Sequence, residues 1–500
     1  MKSPPRRYGL SKSKITAFEQ CPKRLWLSVH RPELAEHDDG AEARFATGHE
    51  VGAIACALLP GGMMVEAEPD LAAALATTQE LLDGNHHRPI FEATLQHDGV
   101  LVRIDVLEPD GDGWHMAEVK SSTKAKDYHV GDLATQLWVA RNAGVPISSA
   151  AIRHIDSSFV LERDGDFDGL FADTDLMAAA EPVIASRGET VAAARAALAG
   201  AEPETAPGAH CDAPFPCEFA GYCHAALPAR PEWPVTLLPH GGGKRWVEQG
   251  IVDLLAIDPA ALTNATHARV HRATVSGEVY HDAKGARAAM AGWAFPRTWL
   301  DFETIGFAVP RWIGTRPYQQ IPFQFSAHVE TADSAIDHRE FLSLDGTDPR
   351  HACAEALVAM VPATGAVIGY NASFEKARIL ELATAFPDLA EALTGMAARV
   401  VDLLPVTRAN WYHRDQRGSW SIKAVLPTIA AEMDYAALEV KDGGSAQEAY
   451  AEAIAAGCTP ERRQALDTAL RAYCGRDTEA MIVLARRLAS PRLQLEPVGI

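Results

Sequence analysis

The chain has 500 residues, 47% of them hydrophobic and 22% charged, with a formal net charge of −20. That length exceeds what one core usually serves and predicts two or three domains, and the composition is ordinary for a globular protein. No run approaches the roughly eighteen apolar residues of a membrane span, and "MKSPPRRYGLSKSK" lacks a signal peptide's apolar core, so no membrane partner and a cytoplasmic location are expected.

In chain order, residues 11 to 60 read as helical, with "FATGHEVGAIACALL" carrying apolar residues on a helical period. "PIFEATLQ", "VLVRIDVLE" and "WHMAEVKSS" read as strands joined by the turns "HDG" and "PDGDG". A helix in "VGDLATQLWVARNAG", strands in "SAAIRHID" and "SSFVLER", and an Ala-rich helix over 174–200 follow. The Pro- and Gly-rich stretch "ALPARPEWPVTLLPHGGGKRW" is the linker candidate, so the expected organisation is a domain over 1–228, a linker and connecting region over 229–294, and a second domain over 295–490. The second domain shows strands "TWLDFET" and "IPFQFSAHVE", a helix near 350–361, strand "AVIGYN", a helix through "FEKARILELATAF" and a last helix through "TALRAYCGRDTEAMIVLARRLA".

The net negative charge lowers the expectation of a polyanionic partner, but it is unevenly spread. Up to residue 31, Lys2, Arg6, Arg7, Lys12, Lys14, Lys23, Arg24 and Arg31 face one acid, Glu19, and a second basic segment holds Arg399, Arg408, Arg414, Arg417 and Lys423. A globally acidic protein can present local basic grooves.

Asp105 in "RIDVLE" and Glu118 in "AEVKSS" lie on adjacent predicted strands and can converge on one divalent cation, and Lys120 shares Glu118's face. Oxygen ligands suit Mg²⁺ or Mn²⁺, and the lysine would stand beside a metal-activated water and an attacked phosphate. A surface hairpin with scattered charges is the competing reading of this piece alone. Asp132 and Gln136 share a helix face, and Glu92 and His49 stand upstream. This order resembles the PD-(D/E)XK nuclease superfamily, specifically its RecB-like members that carry an iron-sulfur cluster. The resemblance implies that His49, Asp105 and Glu118 bind metal, that Lys120 is catalytic and that Gln136 assists it. The aromatic expected four residues after the glutamine is replaced by Ala140, with Trp138 nearby.

The eight cysteines do not suggest a secreted disulfide framework. Three fall in "CDAPFPCEFAGYC", as Cys211, Cys217 and Cys223, and Cys21 lies far upstream in "FEQCPKRLWL". Thiolates suit zinc and iron-sulfur clusters alike. The same resemblance implies a 4Fe-4S cluster on Cys21, Cys211, Cys217 and Cys223, with Zn²⁺ as the alternative, and either group would pin distant parts of the chain.

In "TWLDFETIGF", Asp301 and Glu303 share one strand face while Leu300 and Phe302 take the other. Glu375 follows the strand in "VIGYNASFEKA", and Tyr473 and Asp477 sit one helical turn apart in "AYCGRDTEAM". Carboxylates that bridge two metals can activate water on one side of a phosphodiester and stabilise the leaving oxygen on the other. The series resembles the DEDD exonucleases of the RNase H-like fold, in the subgroup with Tyr before the last acid. It implies Asp301, Glu303, Glu375 and Asp477 as metal ligands and Tyr473 as the residue orienting water. Glu375 stands where the family usually has Asp, and Asp402 matches a supporting acid. "GSWSIKAVLP" matches a further family segment, whose Trp420 and Lys423 either meet base and phosphate or simply pack.

The two resemblances together match a bacterial family that fuses a RecB-like nuclease to an RNase H-like exonuclease. The expected protein is thus α/β, with a restriction-endonuclease-like N-terminal domain and an RNase H-like C-terminal domain, hydrolysing DNA with Mg²⁺ or Mn²⁺. RNA as the second domain's substrate, and one domain serving only to bind nucleic acid, are the alternatives. No G-x4-G-K-S/T motif is present, so unwinding would fall to a partner such as a helicase or another repair or defence protein.

Overall fold

Ile104 and Val106, two apart, are buried with Asp105 half-buried between them, the period-two pattern of a strand that packs against a core. The computed structural model describes residues 9–491 apart from 37–39, 68–69, 85–86, 228–229, 432, 434 and 436–437. It divides into two compact units, Met1–Pro228 with Phe307–Tyr318, and Ala229–Gly306 with Gln319–Ile500. Both are mixed α/β. Among the described residues no helix is long and apolar enough to cross a membrane.

The first unit holds strands β1 (Leu10–Ser11), β2 (Met63–Met64), β3 (Ile90–His97), β4 (Val100–Asp110), β5 (Gly113–Lys120), β6 (Ile147–Ile155) and β7 (Phe171–Asp175). They form one sheet in the order β2-β3-β4-β5-β6-β7, with β1 beside β4. β3, β4 and β5 are antiparallel neighbours and β6 is parallel to β5, so the chain must cross over between them, and the helix Asp127–Asn142 makes that crossing. Its Leu133, Leu137 and Ala140 share a core with Ile104, Met116 and Ile152. "SSFVLER" is not a strand: the chain turns through 157–170, with Gly165 and Gly169 at φ 72° and 84°, and the strand beside β6 comes afterwards as β7.

The second unit holds β8 (Tyr280–His281), β9 (Arg297–Ile305), β10 (Ile321–Glu330), β11 (Ile336–Leu342), β12 (Val367–Gly369), β13 (Val400–Asp402) and β14 (Trp411–Tyr412). The main sheet runs β11-β10-β9-β12-β13: β9, β10 and β11 are antiparallel, β12 lies parallel to β9 and β13 parallel to β12, while β8 and β14 pair separately. β11 and β13 were not expected. β11 is a half-exposed, charged edge strand and β13 has three residues, so neither carries a readable apolar pattern.

Both faces of β9 are covered. Leu300 and Phe302 pack with Phe325, Leu357 and Ile379, while Trp299 packs with Met481, Ile482 and Ala485 of the helix Pro460–Ala489. Asp301 and Glu303 follow Trp299 at two and four residues and share its face, so they meet that helix and not open water. The stretch 229–294 is no spacer. Trp233, Val235, Trp246, Leu254 and Ile257 belong to the same buried cluster as Trp299 and Ile482, and its prolines and glycines shape short turns around that core.

Trp299 is 1% exposed at the centre of this cluster. Trp299→Ala should lower the second unit's unfolding free energy by about 3–5 kcal/mol. Urea unfolding of the full chain checks this, and an unchanged transition would remove Trp299 from the core.

Candidate functional site

In the first unit, the adjacent strands β4 and β5 bring Asp105 and Glu118 together, and the crossover helix supplies Gln136. Glu118 is 1% exposed and fully engaged. Its Oε1 accepts from Lys120 Nζ at 2.6 Å and from Lys12 Nζ, and its Oε2 accepts from Gln136 Nε2. The Gln136 Oε1 is buried without a hydrogen-bond partner. Asp105 Oδ2 accepts the Val119 backbone N–H at 2.7 Å. Burial alone would raise the Glu118 carboxyl, but Lys12 and Lys120 outweigh it and hold it well below the ordinary carboxylate range. Asp105 goes the other way: burial, then Glu118's charge, push it up to about 7.

Lys12 escaped the sequence reading as a site residue. It opens the helix Lys12–Gln20, which Ser11 caps and on which Thr16 Oγ1 donates to Asp132 Oδ1 at 2.8 Å. Its signal was the basic N-terminal run, which says nothing of a partner 106 residues away.

His49 does not join the group. Val51 and Ala55 form the buried face of the helix Ala41–Ala57, and His49, two residues before Val51, is rotated about 200° to the exposed side. Trp138 likewise turns away from Gln136 and packs edge-on against His97 with ring centroids 4.9 Å apart.

Cys21 lies between two helices, with Pro22 opening the second. Cys223 lies within electrostatic reach of Cys21 and of Cys211, and Cys217 within reach of Cys211, so the distant Cys21 stands near at least Cys223. Gln20 Nε2 ties the region by donating to the His210 and Phe215 carbonyls, both at 2.7 Å. Among the described residues, no three cysteine sulfurs lie within 4.8 Å of one another.

In the second unit, the four acids come from β9, the helix Ser373–Ala385 and the helix Pro460–Ala489. Glu303, Glu375 and Asp477 are 6%, 4% and 8% exposed. Asp301, Glu303 and the Cys474 sulfur place ligand atoms within 4.8 Å of one another. Asp301 is raised well above the usual carboxylate range by burial and then by Asp477, Glu303 and Glu375, so all four acids share one field. Burial and Asp477 push Glu303 up to about 8, and burial pushes Glu375 up to about 7. Burial also raises Asp477.

Glu375 Oε2 is buried without a hydrogen-bond partner, and a Cβ at Gly369 would stand 3.1 Å from it, so the glycine leaves room for the longer acid. Asp402 serves the backbone: its Oδ1 accepts from Asn371 N at 3.0 Å, where φ is 66°, and from Leu404 N at 2.9 Å. Lys423 Nζ donates to Tyr473 Oη at 3.0 Å and to the Lys441 carbonyl at 2.6 Å, and its charge reaches Asp301, Glu303 and Asp477. Trp420 packs instead of facing a base. It is 5% exposed, and its indole donates to the Trp411 carbonyl at 3.0 Å. Tyr435, which no motif marked, donates to Asp477 Oδ1 at 2.6 Å.

Mg²⁺ or Mn²⁺ fits this donor set. Four largely buried carboxylates, one with an unpartnered oxygen, outnumber the cations that act on them, Lys423 and Arg378, and hard oxygen ligands are what these ions take. At the first site a cation would have to displace Lys12, Lys120 or Gln136 from Glu118, both of whose oxygens are already engaged.

A family profile described as a domain of unknown function (DUF2779) matches residues 298–421, which hold Asp301, Glu303 and Glu375. No curated protein matches the chain. A solved structure titled "Crystal structure of SSO0001" is 14% identical, with 45% of this chain and 91% of that chain covered, at a TM-score of 0.20, and it carries no argument.

Glu303 and Glu375 bind protons in the folded chain at a pH where the unfolded chain has released them. Without metal, stability should therefore fall as pH rises from about 4.5 towards 8. A divalent cation replaces the protons, so Mn²⁺ should raise the melting temperature more at pH 8 than at pH 5.5. Thermal unfolding with Mn²⁺ or a chelator at both values tests this, and an equal shift would contradict it.

Proposed function

We propose that the chain is a metal-dependent nuclease with two active sites, the second a 3′–5′ exonuclease. The reading takes the first unit as a PD-(D/E)XK nuclease and the second as an RNase H-like DEDD exonuclease. One observation carries it: Asp301, Glu303, Glu375 and Asp477, from three elements, share one electrostatic field beside Tyr473 and Lys423.

At the second site the four carboxylates would hold the cations, and the bound ions would supply Lewis-acid activation of water and charge neutralisation at the phosphate. Tyr473, whose hydroxyl stays protonated because burial and then Asp477 raise its pKa, would orient the incoming water. Lys423 holds that hydroxyl from the other side and offers a cation to the phosphate. The unpartnered oxygen of Glu375 supports a ligand role for it in place of a binding remnant.

At the first site Asp105 and Glu118 would hold the cation, and Gln136 fixes the orientation of Glu118. Lys120, whose pKa is raised by Glu118 against the opposing effect of burial, stays charged and faces the phosphate. For the four cysteines a 4Fe-4S cluster is the proposed group, and a single Zn²⁺ is the alternative.

Lys120→Ala and Asp301→Ala should each abolish one of two separable activities on labelled DNA with Mg²⁺ or Mn²⁺, lowering its kcat by at least about 100-fold. RNA strands assayed alongside decide the second site's preference. A double variant that degrades substrates at the wild-type rate would end the proposal. Protein purified anaerobically should be brown with absorbance near 400 nm, and colourless protein containing one zinc would reassign the cysteines.

A further inference from the structure

The first unit contains a segment from outside its own stretch of sequence. Phe307–Tyr318 leaves β9 two residues after Ile305 and returns to β10, yet it belongs with Met1–Pro228. Ala308 and Val309 are buried with Val51, Ile155 and Leu170, Leu161 N donates to the Thr315 carbonyl at 3.0 Å, and Gly314 N donates to the Leu161 carbonyl at 2.7 Å. Tyr318 N closes the segment by donating to the Phe307 carbonyl at 2.7 Å.

Tyr318 has φ 58°, a left-handed backbone that a bulky aromatic rarely adopts. Its hydroxyl donates to the Ser121 carbonyl, one residue from Lys120. There the ring lines a cavity of about 570 Å³ together with Lys120, Lys126, Arg44, Tyr128 and Phe215, a size suited to a small organic ligand. Tyr128 and Phe215 meet edge to face at 4.7 Å, and Lys126 lies over the Tyr128 ring at 5.6 Å. Aromatic faces set among three cations are the elements that hold an unpaired nucleotide, rings for the base and cations for its phosphate. Tyr318, with its strained backbone, is held over Lys120 by this loop and stays 38% exposed, so part of it remains open to a ligand.

We propose that Tyr318 is a positioning residue of the first site, stacking on the unpaired base next to the phosphate that Lys120 faces, so that this site is complete only with the segment Phe307–Tyr318. The assignment rests on the nuclease reading of that site. Its occupant is a single strand, because a base within a duplex presents no free face to the ring.

Cleavage is measured with the full-length Asp301→Ala chain, which silences the second site, on single-stranded DNA and RNA 12-mers. Tyr318→Ala should raise KM on the order of tenfold with little change in kcat, and Tyr318→Phe should retain wild-type KM because it keeps the ring. An abasic position beside the cut should raise KM for the parent chain and leave Tyr318→Ala indifferent. Unchanged KM in Tyr318→Ala, loss of kcat with a lowered melting temperature, or equal damage from Tyr318→Phe would overturn the assignment. If the parent chain cuts neither strand, the nuclease reading fails, and photocrosslinking of a 5-iodouracil 12-mer still judges the cavity. Crosslinks on Tyr318, Tyr128 or Phe215 support it, and crosslinks only elsewhere refute it.

Discussion

Carboxylates buried on one face of a strand repel one another, and water cannot reach them well enough to screen the repulsion. At an effective dielectric constant near 20, two charges 4 Å apart interact by about 4 kcal/mol. Asp301, Glu303, Glu375 and Asp477 are held in this way between β9 and the helices Ser373–Ala385 and Pro460–Ala489, with Lys423 acting on Asp301, Glu303 and Asp477 and Arg378 on Glu375. Burial therefore favours the protonated form of these groups, and a divalent cation would relieve the same deficit. Tryptophan packing at Trp299, and the core built on residues 233–293, keep the helix pressed against the strand and maintain that deficit.

The first unit solves the same problem differently. Glu118 is buried more completely than any acid of the second site, yet Lys12, Lys120 and Gln136 engage both its oxygens and keep it ionised. One site thus pairs its buried glutamate directly with two ammonium groups, while the other holds more acids than cations, which explains why Glu118 is depressed while Glu303 is raised. The cysteine region is mechanically joined to the first site. Gln20 ends the helix that Lys12 begins, and it grips the Phe215 carbonyl of the loop whose ring lines the cavity over Lys120.

Much of this was legible in the sequence where chemistry and periodicity coincide. The strands bearing Asp105, Glu118, Asp301 and Glu303 alternate plainly, and the Tyr473–Asp477 spacing places both on one helical face. What was not legible depends on chain segments far apart. The helix that covers the acid face of β9 starts more than 150 residues later, Lys12 reaches Glu118 across 106 residues, and Ala308 and Val309, which follow β9 in sequence, are buried in the first unit's core. His49 turns away from its expected group, and Trp420 takes the packed one of its two readings, for a common reason: a motif fixes residue type, but the packed face of the element decides where the side chain points. The prolines and glycines of 229–294 signalled turns correctly, and those turns turned out to wrap a core.

The central claim is that the four acids of the second unit bind divalent cations. Electron paramagnetic resonance of Mn²⁺ titrated into the full chain measures this without relying on turnover. The account predicts that Asp301→Asn removes one class of bound Mn²⁺ and leaves the class lost in Glu118→Gln intact. Wild-type Mn²⁺ binding by Asp301→Asn would contradict it.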